Sequence, residues 1–394
     1  MSDEMGGVNE TPGTPGTPQT AQPPAAVTPS RRRGGLWTRL AGALAAFVAV
    51  TVIGVLAIGT FEPPDPDLGY SIAGANSFAL VLAVALIAAF VIYAFIEYQQ
   101  TGRFESISRQ FDTRTVVLMP IAIAFNIILG QAVGAALKIP IYLDSIGTIL
   151  VGALAGPIPG ALTGFLSNML WTYVVPPPFH SDISGAFAIV AAVIGLLAGL
   201  FGRLGWLRPR MNRGMSELAI GALVAVVLIL GLAYLAFLGY TKILGNPSLT
   251  PESDETLFVI LGWVAILLVA GTVVGLLAVL FIRRDLTAAY VIVAGLVTGI
   301  IAAAISAPIS ANVFGGVTGA GTDFLVAAFR QAGADIQAAT LGQGLISDPI
   351  DKVTTFFVVY LILNAMARRT KARFPQGERL VEPPPADAPA GASA

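Results

Sequence analysis

The chain has 394 residues, of which 55% are hydrophobic and only 11% charged, with 43 glycines and no cysteine. Ordinary soluble domains carry about 25% charged residues, so this composition argues against a soluble enzyme and for a polytopic membrane protein. The net charge of -1 excludes little, because basic and acidic residues are segregated along the chain, and the lack of cysteine removes disulfides and thiolate metal sites.

Residues 1–30 are rich in Pro, Gly, Thr and Gln and cannot bury enough apolar surface to fold. Residues 1–35 are therefore expected to form a disordered tail. Residues 369–394, with Pro383–Pro385 and many alanines, read the same way. Arg31–Arg33 precede an apolar run, but Leu36–Thr60 is longer than the roughly 7–15 residues of a signal-peptide core.

A bilayer-crossing helix needs about 20 apolar residues. The N-terminal region, residues 36–98, offers Leu36–Thr60 and Ala75–Glu97. Residues 115–204 offer Thr115–Leu137, Ile141–Ala155, Pro159–Val175 and Ile183–Arg203. Residues 216–282 offer Ser216–Tyr240 and Leu257–Ile282, and residues 286–368 offer Thr287–Ala307 and Pro349–Ala367, separated by a long loop. The expected architecture is thus all-α, with about ten membrane helices. An even count places Arg31–Arg33, Arg103, Arg109, Arg114, the Arg203–Arg213 cluster, Arg283, Arg284 and Arg368–Arg379 on one side, and most acidic loop residues on the other. Positive loops stay in the cytoplasm, so both termini are expected inside.

Gly152, Gly156, Gly160 and Gly164 recur every fourth residue, a spacing that lets membrane helices approach closely. Pro157 and Pro159 interrupt the run and predict a helix break with a tight turn over Gly156–Gly160. Ahead of this hairpin lies a loop carrying Lys138, Tyr142 and Asp144. A second outer loop, V-P-P-P-F-H-S-D, holds the single histidine, His180. A third contains F-G-G-V-T-G-A-G-T-D at Phe314–Asp323, where Thr322 or Asp323 caps a helix or the loop touches a ligand. Asp323–Ala332 after it has amphipathic spacing.

Asn126, Gly130 and Gly134 share one helix face, and Gly164, Asn168 and Trp171 share another. Each asparagine is either an interhelical bond or a substrate contact, and Trp171 is either a stacking plate or an interface anchor. Asp348, Asp351 and Lys352 fall at the outer end of the last span, as an ion pair or as pocket groups. His180 lacks companions for a metal. No cofactor, metal motif, Walker A sequence or nucleophile–base arrangement is evident, so neither enzyme activity nor nucleic-acid binding is expected.

The segment L-K-I-P-I-Y-L-D-S-I-G-T-I-L-V-G-A-L-A-G-P-I-P-G-A-L-T-G-F-L-S-N resembles the opening of substrate-binding S components of energy-coupling factor transporters. F-G-G-V-T-G-A-G-T-D and S-D-P-I-D-K-V-T-T-F-F-V-V-Y-L-I-L are similar to the C-terminal part of that family. The resemblance implies a six-helix core with an outward pocket for a vitamin or related small molecule, closed by the three outer loops. It further implies a bacterial cytoplasmic membrane location and partnership with a membrane coupling protein and two ATPase subunits. Tyr142, Asp144, Asn126, Asn168, Trp171, His180, Thr322, Asp323 and Asp351 are then the expected substrate contacts. Ala132 and Ala136 match the family's partner-docking pattern. Residues 36–98 and 216–282 are additions to that core. The rival readings are a membrane sensor and a stand-alone secondary transporter.

Overall fold

The structure, a computed structural model, describes residues 34–59, 71–131, 142–177, 179–211, 214, 216–223, 226, 227, 230, 267 and 270–381. Every regular element among them is helical. The α-helices used below are, in chain order, α1 (Gly34–Ile58), α2 (Ile72–Thr101), α3 (Glu105–Ser108), α4 (Thr113–Leu129), α5 (Ile146–Ala155), α6 (Pro157–Tyr173), α7 (Ala188–Arg203), α8 (Ala270–Phe281), α9 (Thr287–Phe314), α10 (Asp323–Gln331), α11 (Ile336–Ala365) and α12 (Arg368–Ala372), with short 3-10 turns at Ser184–Phe187 and Gly377–Leu380. Trp37–Ile58, Ile72–Thr101, Ser184–Arg203 and Thr287–Phe314 are long and apolar enough to cross a membrane; Thr113–Leu129, Ile146–Ala155 and Ala270–Phe281 are apolar but shorter. The chain is an all-α membrane protein. Residues 1–33 and 382–394 of the expected tails, Lys138, Ala132, Ala136, most of Ser216–Tyr240 and the first half of Leu257–Ile282 lie outside the described residues. The expectation of a disordered C-terminal tail is corrected over 369–381: these residues are folded, with Leu380 buried and Gln376 N bonded to the Leu154 carbonyl of α5.

Three helix starts are set by short polar side chains that accept an otherwise unpaired backbone N–H. Asp112 accepts from Thr115 N at the head of α4 and Asp335 from Ala338 N at the head of α11, each at 2.8 Å, and Ser71 accepts from Gly74 N at the head of α2 at 3.0 Å. The expected turn over Gly156–Gly160 narrows to one residue. Gly156 has φ of +133° and α6 begins at once on Pro157. A proline fits the first helical position because its missing N–H has no helical partner there anyway, and only glycine tolerates that φ without strain.

The glycine repeat is a packing face. A Cβ on Gly160 would sit 2.6 Å from the Gly152 Cα, and one on Gly152 would sit 2.7 Å from the Gly195 carbonyl oxygen. Sequence spacing paired α6 with α5; the structure adds α7 as a third partner, through Gly195 and Gly199. Helix α9 meets α11 in the same manner. Cβ atoms on Gly295 and Gly299 would run into the backbone of Val353 and Pro349. Helices α4, α5, α6, α7, α9 and α11 pack consecutively around one core, whose largest buried side chains include Tyr360, Phe314 and Phe356. Helix α1 packs on α2.

One expectation about the last helix is corrected. It does not start at Pro349: α11 begins at Ile336 and carries Pro349 in its interior. The close approach to side-chain-free Gly299 leaves room for this proline. Asp348, Asp351 and Lys352 consequently sit midway along a helix and not at its end. The loop expected over 307–348 also shrinks, because α9 runs on to Phe314 and α10 fills the space between. Leu325 of α10 packs with Ile346 and Ile350 of α11.

At one end of the bundle the basic segments converge. Arg114 donates to the Arg373 carbonyl at 3.1 Å, and Arg379 to the Arg203 carbonyl at 2.9 Å. Gln376 N donates to the Leu154 carbonyl at 2.8 Å, which seats the segment after α12 beneath the α5–α6 junction. Asp285, fully buried, accepts from Arg210 N, Thr287 N and the Tyr360 hydroxyl. The N-terminus of α6 is at this end. Its C-terminus, 17 residues on and so about 25 Å away at 1.5 Å per residue, reaches the candidate site.

Candidate functional site

A cavity of about 310 Å³ opens at the end of the bundle opposite the basic segments. Its walls come from the loop before α5, from α6 and the loop after it, from the start of α7, and from α9 and α11. The glycine-packed faces bring these elements together: α5, α6 and α7 cannot be separated without losing their backbone contacts, so their upper ends are held in a fixed arrangement.

Asp351 is the structural hub of one wall. It is fully buried and accepts from Tyr142 N at 3.1 Å and Leu143 N at 2.9 Å. Its second oxygen takes the Lys352 ammonium at 2.5 Å. Leu143 is held at φ of +50°, a conformation that costs an L-residue roughly 1–2 kcal/mol; the two amide bonds to Asp351 offset it. Lys352, 4% exposed, also donates to Ser145 Oγ at 2.9 Å and faces Asp144 Oδ1 at 3.8 Å. One helix residue thus ties down the loop that presents Tyr142, Asp144 and Ser145 to the cavity.

The opposite wall is aromatic. Trp171 lies over Gly130, where a Cβ would fall 2.5 Å from the ring, and its indole N–H donates to the Phe179 carbonyl at 2.7 Å. That bond folds the proline-rich loop back over the end of α6. His180 is held between the Val175 carbonyl at 3.0 Å and Asp182 Oδ1 at 2.9 Å. Across the mouth, the Tyr142 hydroxyl and Thr322 Oγ1 are 2.7 Å apart and join the first outer loop to the third.

Of the residues expected from sequence, Tyr142, Asp144, Asn168, Trp171 and His180 line the cavity. Asp351 lies directly behind the lining, as described above. Thr322 touches the lining through Tyr142, and its side chain accepts no capping bond at the head of α10. Asp323 also makes no cap: its carboxylate gathers Thr318 N, Thr318 Oγ1 and Gly319 N at 2.6–2.8 Å and shapes the glycine-rich loop. Asn126 is committed elsewhere. It donates to Thr148 Oγ1 and Ser167 Oγ and accepts from Gly147 N, binding α4 to α5 and α6, and it is not among the lining residues.

Sequence reading missed several polar members of the wall: Ser306 and Ser310 on α9, Gln343 on α11, and Ser181 and Ser184 after the proline loop. A signal was present. Ser306 and Ser310 are four apart and so share a face of an otherwise apolar helix, as do Gln343 and Ser347, whose side chains bond at 2.7 Å. Among the described residues no group of three or more His, Cys, Asp or Glu is arranged to hold a metal ion. The arrangement can enclose a small molecule between an aromatic wall and an ionisable one. Comparison with known proteins finds no matching family model, no matching curated protein and no matching solved structure.

Proposed function

We propose that the chain is a membrane-embedded substrate-binding subunit of an ATP-driven importer of the energy-coupling factor type, taking up a vitamin-like small molecule. The observation that carries this reading is the cavity. It lies within the usual 300–1,000 Å³ range of small-molecule sites, and it combines apolar and aromatic walls with a few convergent polar groups. The six helices around it, α4, α5, α6, α7, α9 and α11, are those expected to form the core from the resemblance. The N-terminal pair and residues 216–282 are then additions. The clustering of basic segments at the far end supports a cytoplasmic placement of that end and an outward-facing cavity in a bacterial cytoplasmic membrane. Ten spans, with both termini cytoplasmic, remain our reading of the full topology. In this scheme a coupling protein and two ATPase subunits supply the energy, and the chain itself catalyses no reaction.

One observation favours a second reading. Asp348, Asp351 and Lys352 sit midway along α11 and are nearly or fully buried. Charges at such positions are a mark of ion-coupled secondary transporters. Reconstitution into vesicles separates the two. A capture subunit binds substrate but does not concentrate it until an ATP-hydrolysing complex is added. Accumulation driven by a proton or sodium gradient alone would assign the protein to the second class. Mass spectrometry of small molecules retained on gently purified protein supplies the substrate for that assay.

A further inference from the structure

The charge of the cavity bears on the kind of molecule it takes. Among the described residues three carboxylates line it, Asp144, Asp182 and Asp348, against a single ammonium, Lys352. That ammonium has three N–H donors and is surrounded by Asp351, Ser145 and Asp144. Its strongest partner, Asp351, belongs to the fold, as the anchor of Tyr142 and Leu143. Lys352 is therefore already neutralised from behind the wall and offers little to an anionic ligand. The His180 ring is likewise occupied, by Asp182 and a backbone carbonyl.

Asp348 differs from the other acids. It is 6% exposed and lines the cavity. Among the described residues its oxygens meet only the hydroxyls of Ser347 at 3.2 Å and Ser306 at 3.4 Å, both longer than the 2.5–3.0 Å of a good O–H···O bond. The Ser347 hydroxyl also accepts from Gln343. Among the described residues Asp348 enters no ion pair. Lys352, one turn further along α11, acts on it only at a distance, because its ammonium is bonded to Asp351 and Ser145. A carboxylate removed from water without a direct ionic partner is costly to keep, and this one faces an open volume. Trp171 and Phe187 supply aromatic faces in the same cavity, and such faces attract a cation as well as an apolar body.

We propose that the ligand is a small organic cation whose protonated nitrogen docks on Asp348, with Asp144 as a second acceptor, and whose apolar body lies toward Trp171 and Phe187. This rests on the reading that the cavity captures a small molecule. It narrows the substrate to protonated amines, amidines or cationic heterocycles, and predicts rejection of carboxylates and phosphates of the same size.

The test uses the full chain in lipid nanodiscs and three probes of matched shape: tryptamine, the neutral alcohol tryptophol, and indole-3-acetate. Binding is read by thermal stabilisation and by equilibrium dialysis at neutral pH. Tryptamine should bind at least tenfold more tightly than either analogue. Asp348→Asn should remove that preference, and Asp144→Asn should reduce it, in protein whose unliganded melting temperature is checked beside the wild type. Should Asp348→Asn fail to fold, the ranking of the three probes on the wild type still decides. Equal or tighter binding of the alcohol or the acid overturns the cation assignment and leaves the capture reading intact. Silence of all three probes, together with no retained small molecule on the purified protein, overturns both.

Discussion

Two helix assemblies in this molecule solve the same membrane packing problem differently. In the core, glycines on α5, α6 and α7 press backbone against backbone. Between α1 and α2 the glycines meet only side-chain tips: a Cβ on Gly42 would touch Ile96 Cδ1, and one on Gly54 would touch Val81 Cγ1 at 2.6 Å. The outer helix is otherwise open, with Leu44, Val48, Val52, Ile53 and Leu56 all exposed and so placed to face lipid. Its firmest tie is polar. Arg39 donates to Glu97 at 3.0 Å, to Gln100 at 2.7 Å and to Ser106 of α3 at 3.1 Å. Without a hydrophobic drive between helices in lipid, close packing and hydrogen bonds must hold them. The core relies mainly on the first and the outer pair on the second. The core is therefore unforgiving of added volume, whereas the outer pair should be sensitive to loss of one ion pair.

The largest effects should come from removing one partner of a buried ion pair, which costs about 3–5 kcal/mol when the other charge is left uncompensated. Asp351→Ala leaves Lys352 with only the longer Asp144 contact and the Ser145 hydroxyl and frees two amides, so thermal unfolding in detergent should show global destabilisation and ligand retention should be lost. Glu97→Ala strands Arg39, which is mostly buried, but here the damage should stay local. Limited proteolysis should find α1 released while the core melting temperature and ligand retention persist. A core that melts as early in Glu97→Ala as in Asp351→Ala would erase the distinction between the two assemblies.

Added volume comes next. Gly195→Val places methyl groups against the Gly160 backbone, and overpacking of this kind costs about 1–3 kcal/mol or more. Gly42→Ala in the outer pair should change stability by well under 1 kcal/mol, because the Ile96 side chain can swing to another rotamer. Comparable melting shifts for the two substitutions would contradict the backbone-contact account of the core.

The smallest predicted effect concerns the cavity mouth. Tyr142→Phe removes one hydroxyl bond to Thr322, worth about 0.5–1.5 kcal/mol. Ligand affinity should fall by no more than about tenfold, with a faster off-rate and unchanged melting temperature. An unaltered off-rate in surface-immobilised protein would mean that the two loops do not hold the mouth through this bond.

How far these features were legible in the sequence varied with their physical origin. Helices announced by long apolar runs, such as α1, α2 and α9, were placed within a few residues at their starts. The Gly152–Gly164 spacing announced a packing face, but a repeat on one helix cannot name its partner, and Gly195 on α7 emerged only in three dimensions. Pro349 misled because proline usually marks a helix start or break; its tolerance inside α11 depends on Gly299, fifty residues earlier in the chain. In the site, Tyr142, Asp144 and Trp171 stood out as polar or aromatic groups near expected helix ends. Ser306, Ser310 and Gln343 did not, because a hydroxyl or amide in an apolar helix looks the same whether it bonds its own backbone or faces a cavity. The interhelical role of Asn126 was one of two readings, and only the positions of Thr148, Ser167 and the Gly147 amide distinguish it.

Both prolines in the long helices, Pro308 of α9 and Pro349 of α11, lie within two residues of cavity-lining side chains, Ser306 and Ser310 beside one and Asp348 beside the other. A proline supplies no N–H, so the carbonyls of Ala304 and Leu345 receive no helical hydrogen bond from it. At the level of the cavity, then, each of these two walls is one rung short in its own ladder. Bending there breaks nothing that was formed. Below that level Gly295 is pressed onto the backbone of Val353, and the same two helices are clamped. The clamp reaches Pro349 itself, whose backbone lies against Gly299, so the neighbouring helix braces α11 at the point where its own ladder is open.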